Sequence, residues 1–430
     1  MYLQLYVSIC MYVEVAGKLY FKLKLASQCW RKCGEVQTRP FRSLARCRLR
    51  FVCCTEEVPV KSVVNRVGHQ LQKALSEKGM ALLVNHGISD EKLKTAWDHL
   101  DDFVDLEADV KQLYIRSDGD NHGYVSPGNE RFDGKTPELR HAFNICTLNV
   151  QNLPEEPLPG FTDHISALAN DFKALASFIL QALAVSLDIP PTFFLEKHSR
   201  MMSGDHDNMT TLRMLYYPPI VDDEPGHGQN EVIKGRCQYS YQRCLSDQPD
   251  FRPERNPLED EPDNMQTNGK DAEMSEHKLP NGEVIRCGAH VDYGTFTLLA
   301  QDSEGGLEVK LPGSEKWTRV GHLPGAILVN CGEILSIWTR ERYPALQHRV
   351  VIPEQEHIRS RGRHSIAFFC HPDNITMISP NDLPQTDAEQ STTCLKQRKK
   401  SFKAAKERVY NAYQLIQKKF KETYTNGNHS

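Results

Sequence analysis

The sequence predicts a mixed α+β fold that is mainly β, with a double-sheet jelly roll braced by long helices. The C-terminal half carries short apolar segments separated by turn residues such as Gly305-Gly306 and Pro312-Gly313. Several short strands at this spacing are typical of a sandwich or barrel, and a double-sheet jelly roll is the simplest such arrangement. The predicted strands are 284–300, 307–310, 316–320, 326–330, 334–338, 348–352 and 364–370.

The N-terminal half supplies the helices and two further strands. Apolar residues recur at helical spacing from Val63 to Leu75, and Gly79 then acts as a stop. A buried strand follows, and Ser89 can cap the next helix. The longest helical pattern runs from Phe161 to Leu187 and is long enough to brace a whole sheet. The two strands are predicted at 80–84 and 211–217.

Composition divides the chain into five regions. Residues 1–55 are basic and rich in cysteine, and we expect a poorly ordered extension there. Residues 222–281 are rich in Asp, Glu, Pro, Asn and Gln with few apolar residues, which indicates a disordered or loop insertion. The other regions are an N-terminal part with bracing helices (56–221), the jelly-roll core (282–385), and a C-terminal basic helix and tail (386–430).

Charge and cysteine content limit the classes of protein. The formal net charge of −4 over 430 residues gives no indication of a nucleic-acid partner. No apolar run is expected to reach the length needed to cross a bilayer, so no membrane partner is predicted. Thirteen cysteines are an odd number in a long chain without a convincing export signal. They indicate reduced thiols and a cytoplasmic location; the sequence carries no signal for the oligomeric state.

A candidate metal site begins at His290 and Asp292, at the head of an apolar β-type run. Residues i and i+2 of a strand point to the same face, so one imidazole and one carboxylate would project together. His348, in another predicted strand, is available as a third ligand. Two histidines and one carboxylate suit Fe(II) and leave coordination positions for other molecules.

A candidate carboxylate site lies in the last predicted strand. Arg363 and Ser365 share one face of that strand, and the planar guanidinium of arginine matches a carboxylate. Tyr217, just before a proline pair, can add a hydroxyl group. Each motif alone is common and usually structural. Their order and spacing within predicted strands favour the functional interpretation.

The chain from about residue 58 to 385 resembles the iron- and 2-oxoglutarate-dependent oxygenases of the isopenicillin N synthase-like family. That resemblance implies a distorted jelly roll, the double-stranded β-helix, with Fe(2+) bound by His290, Asp292 and His348. It also implies that Arg363 and Ser365, with Tyr217, hold the distal carboxylate of 2-oxoglutarate. The matching blocks are 84–88, 212–218, 286–295, 305–309, 329–332, 347–350 and 363–369.

The resemblance implies a dioxygenase that uses O2 to oxidise, most simply to hydroxylate, a small organic molecule. The oxidation would be coupled to decarboxylation of 2-oxoglutarate to succinate and CO2. Two alternatives remain open: an isopenicillin N synthase-type oxidase that uses no 2-oxoglutarate, and a non-catalytic jelly-roll binding protein. The substrate is not indicated. Four aromatic residues are candidates for its pocket, although each is more typical of an ordinary core: Tyr124, Phe143, Phe296 and Phe369.

The C-terminal segment Lys396–Tyr424 predicts a basic amphipathic helix. Its lysines and arginines could contact anionic lipid or nucleic acid. We favour a solvated basic face on a helix that packs against the core through Phe402, Val409, Tyr413 and Ile416.

Overall fold

A computed structural model describes residues 6–8, 12–15, 18–21, 60–117, 121–131, 138–147, 152–204, 206–219, 284–352, 361–384 and 409–424. The helices are α1 (Val60–Lys78), α2 (Asp90–Val104), α3 (Ala108–Gln112), α4 (Phe161–Ser186), α5 (Thr192–Lys197), α6 (Glu333–Trp338) and α7 (Ala412–Tyr424). The strands are β1 (Tyr6–Ser8), β2 (Tyr12–Val15), β3 (Lys18–Phe21), β4 (Met80–Val84), β5 (Gly123–Val125), β6 (His141–Ile145), β7 (Thr211–Tyr217), β8 (Val284–His290), β9 (Phe296–Gln301), β10 (Leu307–Lys310), β11 (Trp317–Arg319), β12 (Ala326–Cys331), β13 (His348–Ile352), β14 (Arg363–Cys370), β15 (Met377–Ile378) and β16 (Tyr410–Asn411).

Two sheets form the centre of the described structure. The larger has eight strands in the order β1-β4-β12-β9-β14-β7-β6-β5, and only its β1–β4 pair is parallel. The smaller has four antiparallel strands in the order β11-β10-β13-β8. Short pairs β2–β3 and β15–β16 complete the strands. The prediction of a mixed α+β fold is therefore confirmed at the level of antiparallel sheets with helices.

Alternation along β14 shows how the large sheet separates two cores. Ile366 and Phe368 face the helices, where Phe368 stacks on Phe172 of α4 with ring centroids 5.8 Å apart. Ala367 faces the smaller sheet and packs in the apolar cluster between the two sheets. Successive side chains of a strand point to opposite faces, so residues 363, 365, 367 and 369 share the inter-sheet side. The candidate functional residues of β14 thus lie between the sheets.

The helices α1, α2 and α4 cover the outer face of the large sheet. Among the described residues α4 is long and apolar enough to cross a membrane, contrary to the expectation that no run reaches that length. Its apolar residues instead pack into the core against the sheet and α1, including Ile165, Phe172 and Ile179, each fully buried. We therefore interpret α4 as a core helix.

The predicted elements are largely confirmed, with three corrections. Residues 334–338 were predicted as a strand, but 333–338 form helix α6. The predicted strand 284–300 is two strands, because a turn at 291–295 separates β8 from β9. Strands β5 and β6 were not predicted; β6 is buried along its whole length between β5 and β7.

The described residues include parts of the two ends of the chain and none of the predicted insertion. The structure describes strands β1–β3 within the predicted extension 1–55, and β1 pairs with β4. The predicted insertion 222–281 lies outside the described residues. The C-terminal helix predicted over Lys396–Tyr424 begins only at Ala412, because Tyr410–Asn411 form strand β16 and pair with β15, which corrects the prediction there. Residues 396–408 lie outside the described residues.

Candidate metal centre

The three predicted ligands meet at one end of the space between the sheets. His290 is the last residue of β8, and His348, the first of β13, lies opposite it in the strand register. Asp292 lies in the turn after β8, not on the strand as the i, i+2 spacing predicted. The antiparallel pairing of β8 and β13 therefore brings together residues that are far apart in sequence.

The ligand atoms are close enough for one ion to reach all three. The Nε2 atoms of His290 and His348 lie 3.8 and 3.6 Å from Oδ1 of Asp292. All three ligand atoms lie within 4.8 Å of one another. The imidazoles are partly exposed, whereas Asp292 is buried. A metal ion bound here would keep an accessible side.

Backbone carbonyls orient both imidazoles. Nδ1 of His290 lies 2.8 Å from the carbonyl oxygen of Gly288, and Nδ1 of His348 lies 3.1 Å from that of Leu346. A carbonyl oxygen only accepts, so Nδ1 carries the hydrogen of the neutral ring and Nε2 has the lone pair that binds a metal. Burial, and then the neighbouring His290, lower the pKa of His348, which favours its neutral form.

Two neutral donors orient the carboxylate of Asp292. Its Oδ2 accepts hydrogen bonds from Thr297 Oγ1 and Asn330 Nδ2, each 2.7 Å long. Oδ1 is the oxygen nearest the imidazoles. Burial opposes ionisation, but the two imidazoles and these hydrogen bonds outweigh it, so the pKa of Asp292 lies below its ordinary value. The side chain is therefore held as a carboxylate, the form that binds a cation.

Helix α6 holds the turn that carries Asp292. The N–H group of Glu333 donates to the carbonyl of Asp292 at 2.8 Å, and that of Ile334 donates to the carbonyl of Gly294 at 3.1 Å. A Cβ atom at Gly332 would lie only 2.2 Å from the Gly294 carbonyl oxygen. Glycine is therefore required where α6 begins, because the first turn of the helix lies directly against the turn that carries Asp292.

A cavity extends from the metal ligands between the two sheets. We call it the clamp pocket, because its walls carry the metal ligands together with Arg363, Ser365 and Tyr217. Apolar residues of both sheets line the remaining wall, among them Leu299 and Val309. The structure thus places all three predicted carboxylate-binding residues in the same cavity as the three predicted ligands.

Arg363 and Ser365 provide guanidinium and hydroxyl donors in the clamp pocket. Arg363 is fixed by bonds from Nε to the Gly305 carbonyl (2.8 Å), from Nη2 to Gln301 (3.0 Å) and from Nη1 to Ser365 Oγ (3.1 Å). Among the described residues these use three of the five guanidinium N–H groups, which leaves two for a carboxylate. Ser365 accepts from Arg363, so its own O–H group can donate.

Arg140 is a functional candidate that the sequence did not indicate. Its Nη1 donates to the hydroxyl of Tyr217 at 3.1 Å, so the Tyr217 hydrogen is left to donate. Burial raises the pKa of Tyr217 and keeps that hydrogen in place. The ring of Tyr217 lies between the two guanidinium groups, with Arg140 at 5.8 Å and Arg363 at 5.1 Å from its centre. No local pattern marks Arg140, because it reaches the pocket only through the pairing of β6 with β7.

Buried carboxylates balance the charge of Arg140. Glu130 pairs with Arg140 at 3.1 Å and also with Arg213, and all three residues are buried. Glu138 lies 4.0 Å from Arg140, and burial raises its pKa well above the ordinary value. An acid with a raised pKa takes up a proton more readily, so Glu130 is the main counter-charge of these arginines.

A second cavity also borders the metal ligands. We call it the amide pocket, because Asn121 and Asn144 line it beside Thr211 and Arg213. His290 and Asp292 belong to both cavities. Aromatic side chains form its other walls. They are Tyr293, Phe369 and Phe420.

Phe369 is the candidate aromatic residue that reaches a cavity, and it lines both of them. Tyr124, Phe143 and Phe296 instead lie in the core between the large sheet and the helices. His371 also lines the amide pocket. The sequence thus selected aromatic residues without the alternation that separates the pocket side of a strand from its core side.

The C-terminal helix α7 closes one side of the amide pocket. Phe420 lines the pocket, and the ring centroids of Phe420 and Tyr293 are 6.4 Å apart. Ile416 is fully buried in the core, as predicted, whereas Val409 and Tyr413 are exposed, so those two expected core contacts are wrong. Phe402 lies outside the described residues.

Two family models match the chain. The model described as "2OG-Fe(II) oxygenase superfamily" matches residues 260–372, which include all three candidate ligands. The model described as "non-haem dioxygenase in morphine synthesis N-terminal" matches residues 59–161, which include α1 and α2. The two matches fall in the order in which the predicted N-terminal region and core occur.

Curated relatives and solved structures agree with these matches. A 2-oxoglutarate-dependent dioxygenase (htyE) of Aspergillus rugulosus is 25% identical over 72% of this chain and 82% of its own length. A 1-aminocyclopropane-1-carboxylate oxidase of Dictyostelium mucoroides is 24% identical over 74% of this chain and 80% of its own length. The crystal structure of a full-length Neurospora crassa protein in complex with alpha-KG has a TM-score of 0.58 at 20% identity and covers 84% of this chain and 92% of its own. At that identity the likeness shows the fold alone.

Proposed function

Because the chain belongs to the 2OG-Fe(II) oxygenase superfamily, we propose that it hydroxylates a small organic molecule bound in the amide pocket. As a member it is a dioxygenase, an oxidoreductase that uses Fe(2+), 2-oxoglutarate and O2. The proposed reaction balances when one oxygen atom of O2 enters succinate and the other enters the substrate C–H bond. The remaining carbon of 2-oxoglutarate leaves as CO2.

The observation that carries this proposal is the position of the ligands between two cavities. His290 and Asp292 line both the clamp pocket and the amide pocket. One metal ion held there can face a co-substrate on one side and a substrate on the other. A site for metal alone would need neither cavity, and structural metal sites are usually closed by protein ligands.

The clamp pocket favours 2-oxoglutarate over a reaction without it. Arg363, Ser365 and Tyr217 offer three donors to one carboxylate, and charge-assisted bonds of this kind contribute about 1.5–3 kcal/mol each. The carbon chain of a keto dicarboxylate would lie along the apolar wall between these donors and the ligands. In an oxidase without 2-oxoglutarate the same donors would hold a substrate carboxylate instead, and that alternative remains the second candidate.

The residues of this chain bind, orient and exclude water. Bound iron supplies the activation of O2 and the decarboxylation chemistry. His290, Asp292 and His348 leave part of the coordination sphere open, and the clamp residues fix the co-substrate beside it. The aromatic walls of the amide pocket, including Tyr293 and Phe420, limit water near the substrate.

The two sheets support a finer assignment of the fold, and the cysteines support an assignment of the cell compartment. We propose that they form the double-stranded β-helix of this superfamily, since a pocket lined by both sheets lies between them. We also propose a cytoplasmic location. The cysteines among the described residues, at 146, 287, 331 and 370, are buried free thiols, as in reducing compartments.

The proposal is tested by measuring succinate. Purified protein is loaded anaerobically with Fe(2+) and 2-oxoglutarate, then mixed with O2 and a panel of small metabolites. We expect succinate that depends on iron and 2-oxoglutarate and rises with one class of metabolite. Substrate oxidation without succinate would instead identify the oxidase alternative, and a protein that binds no iron would identify the binding-protein alternative.

The control is a double variant at the ligands, His290→Ala with Asp292→Ala. We expect it to form no succinate, because two of three ligands are removed. Lys94→Ala with Asp98→Ala, an exposed pair on α2, is the matched control and should keep full activity. Unchanged succinate formation in the ligand variant would contradict the site assignment.

A further inference from the structure

The amide pocket contains a buried acceptor that no described residue satisfies. Asn144 lines the pocket and is fully buried. Its Oδ1 has no hydrogen-bond partner among the described residues. Buried amide oxygens are nearly always paired, so an unpaired one that lines a cavity beside a metal centre indicates a missing partner.

Neighbouring residues fix which way the Asn144 amide points. Its Nδ2 donates to the backbone carbonyl of Asn121 at 2.9 Å and to the side-chain Oδ1 of Asn121 at 3.2 Å. A carbonyl oxygen only accepts, so reversing the amide would set oxygen against oxygen. The nitrogen is therefore committed to Asn121, and Oδ1 is the atom left over.

The chain of hydrogen bonds continues to a second backbone carbonyl. Nδ2 of Asn121 donates to Thr211 Oγ1 at 3.1 Å, and Thr211 Oγ1 donates to the carbonyl of Met209 at 3.0 Å. Each member thus gives its hydrogen away from Asn144. Asn121 Nδ2 also donates to Cys146 Sγ at 3.7 Å, so neither Asn121 nor Thr211 can turn a donor toward Oδ1 without breaking a bond of this chain.

The charges around the amide pocket disfavour an anion at this position. Arg213 lines the pocket, but its guanidinium is paired with the buried carboxylate of Glu130. A carboxylate placed beside Asn144 would bring its oxygen against Oδ1 with no hydrogen between them. A neutral group that carries N–H or O–H meets the acceptor without that repulsion.

The remaining walls suit a flat or aliphatic body. Tyr293, Phe369 and Phe420 supply aromatic surface around the polar side of the pocket. Apolar cavities with a few placed polar groups are typical of small-molecule sites, in which the polar groups fix orientation. A substrate held at Asn144 would be turned so that one end of its body faces the metal ligands.

Resting on the proposed function, we propose that the substrate is a neutral molecule that donates an N–H or O–H group to Oδ1 of Asn144. Primary and cyclic amides, imides and alcohols have this chemistry, and simple carboxylates lack it. Asn144 is then a specificity-determining residue. A site built to bond a donor rejects the analogue without it, because its buried acceptor stays unpaired.

The test uses matched probes on protein loaded anaerobically with Fe(2+) and 2-oxoglutarate. Benzamide is compared with N,N-dimethylbenzamide and benzoate, and 2-piperidone with N-methyl-2-piperidone and pentanoate. Calorimetric titration measures each affinity. We expect the N–H compound of at least one set to bind about tenfold or more tightly than both partners, a ratio equal to about 1.4 kcal/mol.

Variants assign that preference to the acceptor. Asn144→Leu and Asn144→Ala, which both remove the acceptor, should each reduce the preference for N–H compounds to about onefold. Asn170→Leu makes the same change on the exposed face of α4 and should leave the preference unchanged. If Asn144→Leu fails to fold, Asn144→Ala and the probe sets still decide the outcome.

Two results would overturn the inference. One is a panel in which no N–H compound binds better than its methylated partner, including a panel in which nothing binds. The other is tighter binding of the carboxylates, which would assign the pocket to an anion held by Arg213. Succinate formed without added substrate separates these results from failure of the proposed function, since it needs iron and the clamp but not Asn144.

Discussion

The two cavities that meet at the metal ligands differ in their hydrogen-bonding groups: one offers donors and the other an acceptor. The clamp pocket presents hydrogens, from Arg363, Ser365 and Tyr217. The amide pocket is lined by aromatic walls and by Asn144, whose buried Oδ1 has no partner among the described residues. A cavity that offers positively polarised hydrogens selects a carboxylate. A cavity that offers an acceptor selects a neutral donor.

Under the proposed function, this difference directs the co-substrate to the clamp pocket and the substrate to the amide pocket. A dicarboxylate in the amide pocket would meet an unpaired acceptor, and a neutral amide in the clamp pocket would leave Arg363 without a counter-charge. The pockets share only the metal-side residues His290, Asp292 and Phe369. Changes at shared residues should therefore affect both molecules, and changes elsewhere only one.

The largest effect is expected at a shared ligand. Asp292→Ala removes the one carboxylate that binds the metal, and we expect iron affinity to fall more than the roughly 10–100-fold loss typical of residues behind the ligands. Succinate formation with and without substrate should be lost together. Metal analysis and succinate measurement check this, and a variant that binds iron normally would contradict the role of Asp292.

The next effect is confined to the clamp pocket. Arg363→Lys keeps the charge but loses the planar fork, so the KM for 2-oxoglutarate should rise about tenfold, and Arg363→Met should raise it further. Iron affinity and probe binding in the amide pocket should not change. Arg200→Lys, at an exposed ion pair, is the matched control.

An unchanged KM for 2-oxoglutarate in Arg363→Lys would contradict the assignment of the co-substrate to the clamp pocket. Thermal melting must show that each variant is folded, because Arg363 is buried and bonded to Gly305 and Gln301. Ser365→Ala, a smaller change in the same pocket, gives a second measurement if the arginine variants unfold.

The sequence indicates some residues of these pockets and not others, for a physical reason. Arg363 and Ser365 follow from side-chain alternation along one strand, a rule that needs no partner strand. The metal ligands were indicated by residue type and order along the chain, although Asp292 lies in a turn and not on the strand. Arg140, Asn144 and the orienting residues of Asp292 come together through pairing between distant strands. No spacing in the sequence encodes that pairing, so these residues were missed.

Helix α6 shows the same limit for the fold. Glu333-Ile-Leu-Ser-Ile-Trp338 is a short apolar run, which a strand or a helix explains equally well from its pattern. The contacts of Glu333 and Ile334 with the turn at 292–294 favour the helix. Those contacts join residues that are about forty positions apart in the sequence, so the local pattern does not reveal them. The longer α4 was predicted because its period extends over many turns.

A smaller effect is expected from the residues that orient the shared carboxylate. Thr297→Val keeps the shape of the side chain and removes one of two bonds to Asp292 Oδ2, so iron affinity should fall about tenfold. The KM for 2-oxoglutarate at saturating iron should stay unchanged. Thr318→Val on β11 is the control, and equal iron affinity in both variants would show that Thr297 does not position the carboxylate.

The smallest effect concerns the reverse face of the clamp strand, where His364 points away from both pockets. Burial lowers the pKa of His364, but hydrogen bonds to Asp101 and Asp302 outweigh it and raise that pKa above 6.5. A raised folded-state pKa stabilises the fold fully below the unfolded value, and the contribution is lost as pH rises through the folded value. We therefore expect the free energy of unfolding to fall by about 1 kcal/mol as pH rises above 6.5, since the pair is only partly buried.

Urea unfolding at a series of pH values measures this change in the free energy of unfolding. In His364→Gln that part of the pH dependence should disappear while the KM for 2-oxoglutarate and the preference for N–H probes stay unchanged. A change in that KM or in that preference in His364→Gln would contradict the separation of the two faces of β14.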